Sequence, residues 1–118
     1  NADPDFFRFG FSDQTPEEIK AREVAYYTAV SNHILYADLN ACDNFDVSSK
    51  LNLVKVPALI IVGEEDRLAP PKYSYYLREN ITGSTLKVIP GTGHFILLEK
   101  PYNVCEAVNE FCSGFKKD

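Results

Sequence analysis

Two polar side chains that could exchange protons follow two short apolar runs in this sequence. Asp66 comes soon after the run 56–62, and His94 comes soon after the run 85–90. A carboxylate beside an imidazole fixes the tautomer of the ring and stabilises the imidazolium that forms when the ring accepts a proton. Asp66 and His94 are therefore candidates for an oriented general base.

The two apolar runs have the composition of buried β-strands, because they are rich in branched aliphatic residues and are closed by Gly and Pro. Residues 71–80 between them have room for about two to three helical turns. A strand–helix–strand unit has parallel strands, and the loops that leave their carboxyl ends lie side by side. The sequence therefore predicts that Asp66 and His94 meet, although 28 residues separate them.

Two stretches carry a resemblance to a known family: VPALIIVGEEDRLAP at 56–70 and GTGHF at 91–95. They look like the last third of an α/β-hydrolase, in which the acid follows the next-to-last strand and the histidine follows the last one. The resemblance implies Asp66 as the catalytic acid and His94 as the base. It implies an α/β fold class: the C-terminal portion of an α/β-hydrolase, with parallel strands and flanking helices, preceded by a helical cap segment.

The acid has two acidic neighbours, Glu64 and Glu65. We choose Asp66 because the resemblance puts the acid third after the glycine, and because a shorter side chain suits a held imidazole. A purely structural interpretation is the alternative. In it Asp66 closes a loop through an Asx-turn, and His94 bonds the backbone of a turn.

The resemblance also divides the chain into two parts. Residues 1–44 are expected to be a cap-derived loop and helices, and residues 45–118 the C-terminal part of the hydrolase core. Since a cap lies over the substrate pocket, Phe7 is a candidate substrate-binding residue, together with Phe95 beside the histidine. The phenylalanines of 6–11 could instead fill the core of the domain itself.

The family's nucleophile is not found in these 118 residues. A Gly-x-Ser-x-Gly elbow is expected, but Gly10-Phe11-Ser12-Asp13-Gln14 lacks the second glycine. We therefore expect a serine-hydrolase-type enzyme whose nucleophile (Ser, Asp or Cys) lies outside this chain, so that the chain is inactive alone.

The resemblance implies a small-molecule substrate with an ester or related bond, and neither a cofactor nor a metal. Dehalogenase, epoxide-opening, carbon–carbon-cleaving and peptidase variants stay open, because the cap sets the substrate. The alternative function is a non-catalytic, hydrolase-like module that binds a partner or associates with itself.

Composition limits the partners. A net charge of −5 argues against a nucleic-acid partner, since such proteins carry basic patches. No apolar run approaches 18 residues, so no membrane span is expected. Three cysteines at no metal-ligand spacing, Cys42, Cys105 and Cys112, are expected to be buried free thiols in a reducing cytoplasm.

The strand at 58–62 is expected to need a second neighbour. In the family it has one on each side, and only the strand at 85–90 lies within this chain. The run Ala58 to Val62 carries no Lys, Pro or bulge that would protect an exposed edge. We expect it to pair with the N-terminal part of the same hydrolase or with a copy of itself.

The remaining elements follow from local signals. Residues 1–14 are predicted to be an irregular loop because of Pro4 and Gly10. Thr15-Pro16-Glu17-Glu18 predicts a helix start with Thr15 as the N-cap of a capping box. A break is predicted at Ser31-Asn32. The final helix is predicted over 101–115, with an apolar stripe made by Val104, Ala107, Val108, Phe111 and Phe115.

Overall fold

A computed structural model describes residues 3–115, in which helices flank one pair of parallel strands. A 3₁₀ helix, Ser48–Leu53, precedes the first strand. The helices and strands, in chain order, are α1 (Pro4–Phe9), α2 (Glu17–Thr28), α3 (Asn32–Asp43), β1 (Leu59–Gly63), α4 (Pro71–Asn80), β2 (Thr85–Ile89), α5 (Ile96–Glu99) and α6 (Pro101–Ser113).

The predicted strand–helix–strand unit is present, and α4 is its crossover. The strands β1 and β2 pair in parallel, from Leu59 opposite Thr85 to Gly63 opposite Ile89. Apolar residues at their carboxyl ends are buried, with Val62 5% exposed and Ile89 2% exposed. The predicted α/β fold class is confirmed, because each strand is followed by a helix and the strands run in the same direction.

The first segment differs from its prediction. Residues 1–14 contain α1, so the prediction of an irregular loop is wrong there (its first two residues lie outside the described part). Asp3 caps the helix by accepting a hydrogen bond from the N–H of Asp5 at 2.9 Å. Pro4 occupies the first turn, where a missing N–H leaves no intrahelical bond unmade. The helix ends at Phe9, and Gly10 is its C-cap.

The predicted capping box at the start of α2 is also wrong. The helix begins at Glu17 with Pro16 at the N-cap position, and no side chain caps it. The Thr15 hydroxyl instead donates to Glu99 at 2.5 Å, and a hydrogen bond to an ionised carboxylate is stronger than one between neutral groups. The predicted break before α3 is confirmed, because Ser31 is the N-cap of that helix.

The last helix buries fewer of its apolar residues than predicted. In α6, which packs against β1, Val104 and Ala107 are buried. Val108 is 41% exposed and Phe115 is 54% exposed. A sheet of two strands covers only part of the apolar stripe, so the stripe prediction is wrong for these two residues.

The three cysteines are exposed free thiols, so the prediction that they are buried is wrong. Cys42 lies on α3, a helix with no buried residue in the described chain. Cys105 and Cys112 lie on α6 outside the buried positions of that helix.

No helix within residues 3–115 is both long enough and apolar enough to cross a membrane.

Candidate active site

The structure brings Asp66 and His94 together at the carboxyl ends of β1 and β2. His94 Nδ1 lies 2.9 Å from Asp66 Oδ2. The Asp66 side chain is 6% exposed, whereas the His94 side chain is 41% exposed. An ionised carboxylate only accepts hydrogen bonds, so the contact favours the tautomer that carries its proton on Nδ1. Nε2 is then the acceptor nitrogen, on a ring that is partly open to solvent.

The three consecutive carboxylates after β1 have three different partners. Asp66 meets the imidazole, and its other oxygen accepts the N–H groups of Leu68 and Ala69 at 3.0 and 2.8 Å. Glu64 accepts the N–H of Gly91 at 3.3 Å. Glu65 accepts the Ser12 hydroxyl at 2.5 Å. Among the three, Asp66 is therefore the one whose carboxylate holds the imidazole.

The two loops that carry the pair are joined to each other by backbone hydrogen bonds. The N–H of Glu64 donates to Ile89 at 2.9 Å, and the N–H of Glu65 donates to Thr92 at 2.8 Å. These bonds continue the parallel pairing past the ends of the strands. They fix the separation of the loops, and with it the distance between the carboxylate and the imidazole.

A segment that follows α1, residues 10–15, packs across both loops. His94 donates its N–H to the carbonyl of Gly10 at 2.6 Å. Arg67 donates to the carbonyl of Phe11 at 2.6 Å. Ser12 is fully buried between the loops. This segment therefore forms one wall of the site.

Glu99 on α5 is a further residue of the site that the sequence reasoning missed. Its carboxylate accepts the N–H groups of Gly93 and Phe95, which flank His94, at 3.1 and 3.2 Å. It also accepts from the N–H of Ser12 at 3.0 Å. The signal in the sequence was weak: a glutamate in the short apolar turn after the histidine, two residues before a proline.

A cavity of about 400 Å³ lies beside His94. Most of its wall is apolar, and one carboxylate contributes to it. The lining residues are Glu23, Tyr27, His94, Phe95, Ile96, Leu97 and Leu98.

The two predicted substrate-binding residues have different positions. Phe95 lines the cavity, and its ring lies 5.6 Å from that of Tyr27. Phe7 is 6% exposed and stacks on Tyr27 at 5.0 Å, so it supports the cavity wall from behind. Phe11 is fully buried and packs on Phe95 at 4.4 Å. Phe7 and Phe11 thus contribute to the core, whereas Phe6 and Phe9 are exposed.

A larger cavity, of about 600 Å³, lies elsewhere. It is lined by residues that precede and begin the two strands, including Lys55, Pro57 and Thr85, and by α6. The acid and the imidazole follow the opposite ends of the strands, so this cavity is separate from them. Within the described chain, no cluster of His, Cys, Asp and Glu side chains could hold a metal ion.

Comparison with known proteins agrees with the fold. The chain matches the family model for the alpha/beta hydrolase fold over residues 5–101. It is 28% identical over 94 residues to the putative carbamate hydrolase RutD of Pseudomonas syringae pv. syringae, a match that covers 80% of this chain and 36% of that protein.

Two solved structures are similar over almost the whole chain. A thermophilic esterase is 35% identical with a TM-score of 0.77, and the match covers 94% of this chain and 45% of the other. The esterase EaEST from Exiguobacterium antarcticum is 24% identical with a TM-score of 0.82, covering 92% and 41%. The chain spans less than half the length of each relative. Its match to the family model and its parallel strands with flanking helices show that it belongs to the α/β-hydrolase fold family, as the C-terminal part of that fold.

Proposed function

We propose that this chain supplies the acid and the base of a serine-hydrolase-type triad that cleaves an ester or related bond. The observation that carries the proposal is the 2.9 Å contact between His94 Nδ1 and Asp66 Oδ2, made by residues 28 positions apart that follow adjacent parallel strands. The similarity to a thermophilic esterase at 35% identity supports an ester as the substrate class.

His94 acts as the general base in this proposal. Nε2 accepts the proton of the nucleophilic hydroxyl as its oxygen bonds to the substrate carbonyl carbon, and Asp66 stabilises the imidazolium that forms. The ring then returns the proton to the departing alcohol, which leaves an acyl-enzyme. A water molecule repeats the sequence, and the acid product is released.

The nucleophile lies outside these 118 residues in this proposal. Ser12 lies in the segment that packs across both loops, but it is fully buried and its hydroxyl donates to Glu65. It also lacks the elbow sequence that presents a nucleophile above a sheet. Residues 1–44 are proposed to be cap-derived and residues 45–118 to be the C-terminal part of the core.

The proposed substrate is a small molecule with an apolar group. The cavity beside His94 is walled by Phe95, Tyr27 and aliphatic residues of α5. Its one carboxylate, Glu23, disfavours an anionic group at that position, because like charges repel at close range.

The test is hydrolysis of a p-nitrophenyl ester by the product of the complete reading frame that contains these residues. His94→Ala is expected to reduce turnover to the uncatalysed level, and His33→Ala, at an exposed histidine on α3, is the matched control. The 118-residue chain alone is expected to show no turnover beyond its own His94→Ala variant. Rapid, His94-dependent turnover by the chain alone would contradict an external nucleophile.

A non-catalytic, self-associating module is the second candidate, and the open side of β1 favours it. Within the described chain that strand has a neighbour on one side alone. The same assay separates the two functions, since a non-catalytic module shows no His94-dependent hydrolysis in the complete protein either.

A further inference from the structure

We propose that Glu99 is a positioning residue for His94: its carboxylate holds the backbone on both sides of the imidazole so that Nδ1 faces Asp66. The catalytic meaning of this inference rests on the proposed function. The contacts on which it is based can be tested without an activity assay.

Four donors converge on the carboxylate of Glu99. The N–H of Gly93 lies 3.1 Å from both of its oxygens, and the N–H of Phe95 lies 3.2 Å from Oε1. The N–H of Ser12 and the hydroxyl of Thr15 lie 3.0 and 2.5 Å from Oε2. Each of the two oxygens therefore receives at least two hydrogen bonds.

Two of these donors set the direction of the imidazole. The N–H of Phe95 belongs to the peptide plane that follows the Cα of His94, and the N–H of Gly93 belongs to the plane one residue before the peptide that precedes this Cα. The N–H of His94 itself is held by the carbonyl of Gly10 at 2.6 Å. The backbone at the histidine thus has three tethers, and Glu99 supplies two of them.

The chemistry of the site calls for a carboxylate. An ionised carboxylate has about four acceptor positions and no donor, and four donors point at it here. An amide in the same place would offer one acceptor oxygen and would turn its NH₂ group toward some of these N–H groups. Glutamine therefore cannot satisfy the site, although it has the size and shape of glutamate.

The other two donors connect Glu99 to a second part of the site besides the histidine loop. Ser12 and Thr15 belong to the segment 10–15, which forms a wall of the site. Through Glu99, that wall and the histidine loop share one anchor. A residue that served only to hold the wall would affect stability but would leave the tautomer of His94 unchanged.

The ring tautomer of His94 is the test, measured by ¹⁵N NMR on the 118-residue chain at a pH where imidazoles are neutral. The chain has two histidines, and His33 is exposed, so His33 is an internal reference. We expect His94 to carry its proton on Nδ1 in the unmodified chain. In Glu99→Gln it is expected to move toward the distribution shown by His33.

Three variants control this experiment. Glu106→Gln makes the same chemical change at an exposed position on α6 and is expected to change nothing. Thr15→Val removes a donor remote from His94 and is expected to lower stability while the tautomer stays on Nδ1. Should Glu99→Gln fail to fold, Glu99→Asp keeps the charge but withdraws the carboxylate by one methylene, and a shift in the same direction is expected.

Activity of the complete protein supplies a second readout. A misdirected base slows the chemical step, so kcat is expected to fall about 10- to 100-fold in Glu99→Gln, with KM changed little. An unchanged Nδ1 tautomer in a folded Glu99→Gln variant, or an unchanged kcat, would overturn the role of Glu99 alone. A tautomer like that of His33 in the unmodified chain would instead contradict the Asp66 contact, and with it the proposed function.

Discussion

Asp66 uses its two oxygens for two different tasks. Oδ1 accepts the N–H groups of Leu68 and Ala69 and so closes its own loop, while Oδ2 faces the imidazole of His94. The Asx-turn that would be the structural interpretation of this residue is therefore present together with the imidazole contact. The turn holds the carboxylate still, which is what an orienting acid requires.

This division predicts that Asp66→Asn separates activity from folding. The amide oxygen of asparagine can still accept from Leu68 and Ala69, so the thermal midpoint is expected to change little. Its NH₂ group would face the ring and favour the wrong tautomer, so kcat of the complete protein is expected to fall on the order of 10⁴-fold. Ester hydrolysis and thermal unfolding measure the two effects.

The matched control is Asp38→Asn, the same change at an exposed position on α3. It is expected to alter neither quantity. The contradicting outcome is a large loss of stability in Asp66→Asn while kcat of the folded protein is retained. It would show that Asp66 stabilises its own loop and does not orient the imidazole.

At the scale of single residues the sequence was sufficient to predict that Asp66 and His94 lie together, because each follows an aliphatic run that specifies a strand. It was not sufficient for Glu99 or Ser12. Glu99 bonds the N–H of Ser12 across 87 positions of the chain, and no local pattern encodes such a contact. These partners depend on how α1 and the segment after it fold back over the strand ends.

The loops at the strand ends are packed so closely that glycine is required. A Cβ on Gly93 would lie 2.3 Å from the carbonyl oxygen of Gly10 and 2.6 Å from the nitrogen of Ser12. These are backbone atoms, which cannot rotate away as a side chain does. The histidine loop and the segment 10–15 must therefore separate if any side chain is introduced there.

Gly93→Ala is expected to lower the free energy of unfolding by about 1–3 kcal/mol, the usual range for overpacking. Gly114→Ala is the control, since the nearest atom to its Cβ, the carbonyl oxygen of Phe111, lies at 3.4 Å. That change is expected to stay within about 0.5 kcal/mol. Chemical denaturation measures both, and equal effects of the two variants would contradict the close contact.

The first two helices are joined by an ion pair between Arg8 and Glu17. The hydrogen bond from Arg8 lowers the pKa of the Glu17 carboxyl below its usual value, and the nearby positive charge adds to this. A carboxyl with a lowered pKa in the folded state stabilises that state above its unfolded pKa. The contribution is lost as the pH falls through the folded pKa.

Glu17→Gln is therefore expected to destabilise the protein slightly at about pH 7 and by less at about pH 3, because the contribution of the carboxylate shrinks as the pH falls toward its lowered pKa. Glu18→Gln is the control, because Glu18 is exposed in the same first turn of α2. Denaturation of all three proteins at the two pH values is the measurement. An equal loss in Glu18→Gln would assign the effect to the helix dipole and not to Arg8.

The elements themselves were predicted unevenly, for physical reasons. The strands expected at 58–62 and 85–90 are found at Leu59–Gly63 and Thr85–Ile89, since aliphatic runs closed by Gly and Pro leave few alternatives. Pro4 and Gly10 predict a loop from the sequence, but Pro4 lies in the first turn of a helix, where proline is tolerated. Thr15 has the pattern of a cap, but a carboxylate far along the chain takes its hydroxyl.

The whole molecule exposes more surface than a compact protein of its mass. Its accessible area is 8335 Å², whereas a folded monomer of 13.3 kDa has about 6,450 Å² by the usual scaling. Its radius of gyration is 16.2 Å, compared with about 13.5 Å for a compact chain of this length. Both values exceed those of a compact protein of the same mass and length, so this chain exposes a larger surface than such a protein does.

The open side of β1 is the clearest part of that surface. Thr85 donates its N–H to the carbonyl of Ala58, and Glu64 donates its N–H to Ile89. Alternate residues of a parallel strand bond the same neighbour, so Leu59 and Ile61 turn their N–H and C=O groups to the other side. Aliphatic residues with free backbone groups on one edge favour the addition of another strand.

We therefore expect the chain in solution to pair along β1, with the upstream part of its own hydrolase where that is present and otherwise with a copy of itself. Ile61→Pro removes an N–H on the open side and is expected to weaken association while β1 and β2 stay paired, because proline is tolerated at such edge positions. Ile60→Pro is the contrasting variant, since it removes a bond to β2 and is expected to unfold the chain. Sedimentation measures the association and circular dichroism the fold. A cooperatively melting monomer of 13.3 kDa, with the same stability in Ile61→Pro, would show that β1 needs no second neighbour.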